Sequence, residues 1–402
     1  MKKIELLTQI CSQSNSRFKD KNGIIYIGLN ALNKNKVEGL SVPDGFDSKH
    51  FFTGCEVGQL MSIINCIERK QGNLNNPIDI SLPGIKIIDK LTYIFLECIC
   101  YYLILKGHRV IFQMSCYPTI ETSGINSSPL LLLKNGKKDN MLKYIERFRF
   151  DLYIKHYRRV IDGTGLENTN FLGKYAHEID TFLKPFGIEE KCRDIIATVY
   201  TELVGNAIEH GGAECLIDID IAPNYKKRML DGSYDKKYYY GINMVILNFS
   251  ETLLGDGIEK NILDNNLKSD NRRYMDVIST FSRHQEMFSD QYSKTDFCNI
   301  TAFQNRISGR ANGDETGGTG LPQLIKPLQE MASEDKCYVI SGNRSVNFKK
   351  EYLSYKDGWI GFNDSNDYFN DKPSEDVCGE CLIYMPGTAY NMTFIMEGKD
   401  IG

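Results

Sequence analysis

The chain has little that would hold it to a nucleic-acid backbone or a membrane. A net charge of −4 over 402 residues lacks the basic excess that phosphate-backbone binding requires. The start, MKKIELLTQICSQSNSRFKDK, is only briefly apolar and does not read as a secretory leader. The most apolar run, LTYIFLECICYYLIL at 91–105, is short for a bilayer and carries Glu97 at its middle, so it predicts a buried helix. Cys378-Gly-Glu-Cys381 has metal-ligand spacing, but no second Cys or His pair accompanies it to complete four zinc ligands. The twelve cysteines are scattered, often inside apolar runs, as in the reduced core of a cytoplasmic protein.

The length favours two domains. From 23 to 113, β-like runs (GIIYIGLN, NPIDISLP, HRVIFQM) alternate with helical patterns at 54–69 and 85–106, which predicts a small α/β module with a partly parallel sheet. LLLLKNGKKDN at 130–140 reads as a strand end and a basic turn, and the boundary is placed there: 1–140, then 141–402. Helices are expected over 141–160 and 171–184. CLIDIDIAP and YYGINMVILNF follow as strands, 258–307 as mostly helical, and KCYVISG, CLIYMPG and YNMTFIM as closing strands.

One stretch organises the second part: TELVGNAIEHGG at 201–212. Ile196, Val199, Leu203 and Ala207 recur three or four residues apart, so they share the buried face of a helix. Glu202, Asn206 and His210 fall four apart on an adjacent face, and Gly211-Gly212 ends the helix. Alone, such polar residues usually line a solvated face. A carboxylate and an amide oxygen one turn apart can also share a magnesium ion, which takes one or two protein oxygens plus substrate phosphates. Downstream, Gly317-Gly318-Thr319-Gly320-Leu321 runs into a helix with Pro322 near its start.

With TELVGNAIEHG, a strand ending at Asn248 and GGTGL opening a helix in this order, residues 169–394 resemble the GHKL ATPase superfamily (gyrase, Hsp90, histidine kinases, MutL), closest in motif to the anti-sigma-factor serine kinases. No Walker-type phosphate loop competes as a nucleotide site. The resemblance implies a C-terminal Bergerat-type α/β sandwich with a mixed sheet, binding ATP and Mg. It implies Asn206 as metal ligand, Glu202 as general base toward water or a hydroxyl, and His210 beside the nucleotide. Gly317, Gly318 and Gly320 would admit phosphates to backbone N–H groups, with Thr319 adding a hydroxyl and Leu321 starting the helix that faces them.

The family ends its central strand in Asp, with Gly two residues on, to read adenine; here Asn248 and Ser250 stand there. The alternative is that Asp256-Gly257-Ile258 supplies the family's ending after a small insertion; Asn248 is favoured for adenine because it terminates the apolar run, with Asp256 and Gly257 at the rim. Residues 258–316 are expected as a long lid: Met275, Ile278, Phe281 and Met287 give partly helical apolar spacing, which predicts a folded insertion that packs on something, in a segment otherwise polar with few apolar anchors. Arg306 and Arg310, just before the glycine run, are either surface residues or able to reach a γ-phosphate as the lid closes. AHEIDTFL at 176–183 looks like a histidine-kinase phosphoacceptor, but His177 lies too near Asn206 and is read as structural. The N-terminal module loosely resembles STAS-type antagonists. The expectation is an ATPase coupled to lid closure and a protein partner, with homodimerisation compatible. Its rivals are a Ser or His protein kinase and a non-catalytic nucleotide-gated switch in transcription or phage defence.

Overall fold

A computed structural model describes residues 19–21, 24–28, 51–71, 76–87, 89–118, 128–162, 171–211, 214–223, 225, 233, 235–264, 272–308, 321–333 and 337–399. The chain is mixed α/β. It divides into one unit of Met1–Val160, Leu216–Ile221 and Leu382–Tyr384, and a second of Ile161–Cys215, Ala222–Cys381 and Met385–Gly402. The turn at 130–140, expected as a boundary, lies inside the first unit.

The first unit opens with β1 (Lys19–Lys21), β2 (Ile24–Gly28), β3 (Phe51–Phe52), α1 (Gly54–Gln71), β4 (Ile78–Ile87), α2 (Lys90–Leu105) and β5 (Val110–Pro118). Strand β4 is the axis of a five-stranded sheet: β2, β3 and β5 pair with it in parallel, and β1 adds antiparallel to β2. Ile78, Ile80 and Leu82 are buried, and after Pro83-Gly84 the buried positions become Ile85 and Ile87. A register shift between Leu82 and Ile85 inserts one residue there, so the apolar set stays on the inner face instead of flipping outward. Helix α2 starts at Asp89, whose side chain accepts the Thr92 N–H at 2.7 Å. It is buried from Lys90 through Leu103, as an all-round apolar helix must be. Among the described residues no helix is long and apolar enough to cross a membrane.

A 3-10 segment, Pro129–Asn135, leads to α3 (Lys138–Arg149) and then to β6 (Phe150–Tyr153) and β7 (His156–Ile161). Residues 150–160 were expected to continue a helix; they form an antiparallel hairpin, with Leu152 opposite Tyr157. Strand β8 (Cys215–Ala222) adds to it, giving the order β8-β7-β6 with β6 at the edge.

The second unit contains α4 (Phe171–Leu183), α5 (Glu190–Gly211), β9 (Tyr239–Phe249), α6 (Asp256–Asp264), α7 (Arg272–His284), α8 (Lys294–Thr301), α9 (Pro322–Met331), β10 (Tyr338–Asn347) and β11 (Cys378–Glu397). Its strands run β10-β11-β9, all antiparallel, with α5 packed on β9 and flanked by α4 and α9. The two closing strands expected from sequence are one strand, β11. Gly387 absorbs the junction at φ 95°, where a Cβ would come within 2.3 Å of the Asn248 carbonyl oxygen.

Of the expected lid 258–316, residues 258–264 and 272–308 form packed helices, so the folded insertion read from its spacing is present, while the expected scarcity of apolar anchors is not. Tyr274, Val277, Phe281 and His284 form the buried face of α7, one step round from the Met275 and Ile278 positions read from sequence. His284 and Phe297 pack edge to face at 5.3 Å, and Trp359 stacks on Tyr368 at 5.0 Å. Asp296 closes a capping box with Ser293 at the start of α8 and also takes the buried Arg344 guanidinium, Nε to Oδ1 2.8 Å and Nη2 to Oδ2 2.5 Å.

Candidate nucleotide site and a buried ion cluster

Helix α5 is built as the sequence predicts. Ile196, Val199, Leu203 and Ala207 are all buried, and Glu190 sits in the first turn, where a carboxylate meets the positive end of the helix. Arg193 anchors that end, Nε to Asp180 Oδ1 on α4 and Nη1 to the Ile188 carbonyl, both at 2.6 Å. Glu202 and Asn206 are half-buried, one turn apart. Burial, and then the charge of Glu209, push the Glu202 carboxyl above its ordinary value. The Asn206 Nδ2 is closed to solvent and has no hydrogen-bond partner, in a protein interior where buried amides are nearly always satisfied. His210 continues the helix one turn further.

Asn248 braces the end of β9. Its Nδ2 donates to the Ala207 carbonyl of α5 at 3.5 Å, and its Oδ1 accepts the Thr388 N–H of β11 at 3.2 Å. It is buried, so any reading of adenine would fall to the second lone pair of that oxygen. Thr388 follows Gly387, whose carbonyl accepts the Ser341 hydroxyl at 2.7 Å. Sequence reasoning passed over this glycine; its signal was a lone Pro-Gly inside an apolar run.

Asp256 opens α6 and its Oδ2 accepts the Leu253 N–H at 2.7 Å, a local turn, with Gly257 the next helical residue. Leu321 is half-buried and precedes Pro322 at the start of α9. Arg310, Gly317, Gly318, Thr319 and Gly320 lie outside the described residues. Arg306 is exposed at φ 60°, and His177 is exposed on α4.

The first unit holds a constellation that motif reading missed. Lys90 of α2 places its Nζ 2.5 Å from both Asp218 Oδ1 and Asp220 Oδ2 of β8. Arg158 of β7 joins Asp218 to Glu97 of α2, and His156 Nε2 lies 3.0 Å from Asp218 Oδ2. Ser128 donates to Glu97 Oε1 at 2.7 Å, and Arg147 to Asp151 Oδ2 at 2.7 Å. All but Arg147 are buried. With His156 protonated, the cations Lys90, Arg147, His156 and Arg158 balance the carboxylates Glu97, Asp151, Asp218 and Asp220 one for one. Burial pushes the Glu97 carboxyl up, whereas Arg158, Lys90 and His156 outweigh burial at Asp218 and hold it well below the usual carboxylate range. Burial works against charge on His156 too, and Asp218 outweighs it, raising the imidazole to about 9.

His156, Asp218 and Asp220 present ligand atoms within 4.8 Å of one another, close enough to hold a metal ion. The donor set does not fit one. The Lys90 ammonium already bridges the two carboxylates, and Arg158 and His156 occupy the other Asp218 oxygen. The signal in sequence was the charge itself: Glu97 inside the most apolar helix, and two aspartates alternating through an otherwise apolar strand. No family model, no curated protein and no solved structure matches this chain.

Proposed function

We propose that the second unit binds Mg·ATP in the manner of the GHKL superfamily and hydrolyses it slowly, with the nucleotide state governing a protein partner. The observation that carries this reading is the pair Glu202 and Asn206: a carboxyl pushed up by burial, and one turn on a half-buried amide whose Nδ2 lacks a partner. Both stand on a helix locked between α4 and β9, so their positions are set by packing rather than by surface chance.

The residues fit a hard cation and a triphosphate. Asn206 Oδ1 is the neutral oxygen donor suited to magnesium, which when bound neutralises phosphate charge and polarises the transferred group. Glu202 orients and deprotonates the attacking water, and partial burial keeps its carboxyl basic enough to do so. Asn248 keeps β9 against the turn of α5 that bears Asn206, so the floor of the site and its polar helix move as one. The glycine run 317–320 supplies backbone N–H groups to phosphate in this reading.

Incubation with γ-labelled ATP and magnesium, with and without lysate, tests it. Free labelled phosphate is the expected product. A labelled protein band would transfer the same base to phosphotransfer, and neither product would leave a nucleotide-gated switch.

A further inference from the structure

Strand β6 ends its sheet, and its surroundings are unusual for an edge. Among the described residues eleven large apolar side chains are exposed, and six of them, Leu131, Leu142, Phe150, Leu152, Tyr153 and Ile154, fall within 131–154. Ile154, at the hairpin turn, is 77% exposed. Edges of natural sheets are usually protected by lysine, proline or a bulge, because their outer N–H and C=O groups invite another strand. β6 reads Phe-Asp-Leu-Tyr and has none of these; its one charge, Asp151, is turned into the buried ion cluster. Phe150 and Leu152 alternate on the opposite face, and β6 pairs only with β7 among the described strands.

The charge around this edge is the reverse of the whole chain's. On the later turns of α3 and on the hairpin it feeds, Lys143, Arg149, Lys155 and Arg159 reach solvent, against Glu146, in a protein of net charge −4. Arg159 lies over the Phe150 ring at 5.2 Å, and Arg147, already paired with Asp151, lies over Tyr153 at 5.1 Å. The ring contact limits the freedom of the Arg159 side chain before any partner arrives, which favours recognition of a carboxylate.

From these observations we infer that β6 is a docking edge for an extended segment of another protein in which acidic and aliphatic residues alternate. The segment adds as a further strand: its backbone pairs with the outer groups of β6, its aliphatic side chains cover Phe150 and Leu152, and its carboxylates meet the basic rim. Charge selects this occupant over a second copy of the chain. A second copy of the chain would bring the same basic surroundings up to this edge and offers no acidic complement there. A lipid surface would leave the backbone groups of the edge unsatisfied.

The test is selection of a random twelve-residue displayed peptide library on the immobilised full chain, followed by fluorescence polarisation with the enriched peptides. Enrichment of alternating Asp/Glu and Val/Ile/Leu is expected, with affinity falling at least tenfold in Leu152→Ser and in Arg159→Glu, and weakening with salt. N-methylation of alternate peptide bonds should abolish binding with the protein unaltered, a control that cannot be confused with misfolding. Circular dichroism and melting of both variants should match the parent, since both side chains reach solvent. Absence of enrichment, peptides indifferent to N-methylation, or unchanged affinity in both variants would each overturn the proposal. So would loss of dimer sedimentation, or of phosphatidylserine-vesicle binding, as the main effect of Leu152→Ser.

Discussion

His156 Nε2 lies 3.0 Å from Asp218 Oδ2, with both side chains closed to solvent. Lys90 and Glu97 from α2, Asp151 from β6, Arg158 from β7 and Asp220 from β8 complete its charged surroundings. Asp151 Oδ2 stands 3.6 Å from Nδ1, an ion-pair distance rather than a hydrogen bond. The folded-state pKa of about 9 exceeds the ordinary 6.5, so folding favours the protonated imidazole. That stabilisation is fully present below pH 6.5 and is lost as pH rises through 9. At roughly 1.4 kcal/mol per unit it amounts to up to about 3 kcal/mol. Urea unfolding from pH 6 to 10 should show the parent losing its advantage over His156→Gln across that window. A constant gap between the two would sink the assignment.

Among the described residues Lys90 is the only cation within ion-pair distance of Asp220, whose Oδ1 has no hydrogen-bond partner. Lys90→Met should therefore cost about 3–5 kcal/mol, the usual penalty for breaking one side of a buried pair. Asp218 keeps Arg158 and His156, so the damage should centre on Asp220. The double variant Lys90→Met/Asp220→Leu should recover a substantial part of the loss in equilibrium unfolding. No recovery would show that Asp218, not Asp220, depends on the lysine.

The same buried charges explain where the sequence was legible and where it was not. Helix α5 was readable because its inner face, Ile196, Val199, Leu203 and Ala207, is apolar at helical spacing. The β6–β7 hairpin was read as helix because Asp151, His156 and Arg158 are buried while Phe150, Leu152 and Ile154 are exposed, inverting the usual strand pattern. In α7 the spacing was helical but the face was shifted, since buried His284 and Thr280 count as polar in any periodicity. At the candidate site, residue types at fixed spacing gave Glu202 and Asn206. The dual role of Asn248 depends on Ala207 and Thr388, partners 41 and 140 positions away.

The helical layer of α7 and α8 should resist proteolysis with or without nucleotide. Arg283 and Lys294 are exposed tryptic sites, but Phe281, Phe297 and Ile300 beside them are buried, and local opening would have to expose them. Limited trypsin digestion followed by mass spectrometry should leave 272–308 uncut while other sites are consumed. Early cleavage after Arg283 or Lys294, suppressed by ATP, would restore the gating lid.

Nucleotide should raise the melting temperature only with magnesium, by mass action on the folded state, about 2.7 kcal/mol at a hundredfold excess over Kd. Because both ends of the Asn248 amide are engaged, the preference for ATP over GTP should be modest. Asn248→Asp, which restores the family's residue, should destabilise the fold by about 1–3 kcal/mol, since it sets an oxygen against the Ala207 carbonyl. Thermal shift with ATP, GTP and EDTA measures all three. A more stable Asn248→Asp protein with sharper ATP preference would show that the amide brace is not the role of this position.

Glu202 and Asn206 make separable contributions to the proposed site. Asn206→Ala removes an oxygen donor where the triphosphate needs its charge compensated, so Mg·ATP affinity should fall. Glu202→Gln keeps the shape and a hydrogen-bonding oxygen but cannot take a proton, so binding should persist while turnover drops ~10²–10⁴-fold. The parent's turnover should rise with pH through the Glu202 titration, placed above the ordinary carboxylate value by burial, because only the ionised form acts as base. That limb should vanish in Glu202→Gln. The residues lie one turn apart on a helix whose opposite face is core, so each variant must first show the parent's circular dichroism and melt. Folded Glu202→Gln turning over at the parent rate, with the pH limb intact, would remove the carboxyl from the chemistry and leave it as a wall of the pocket.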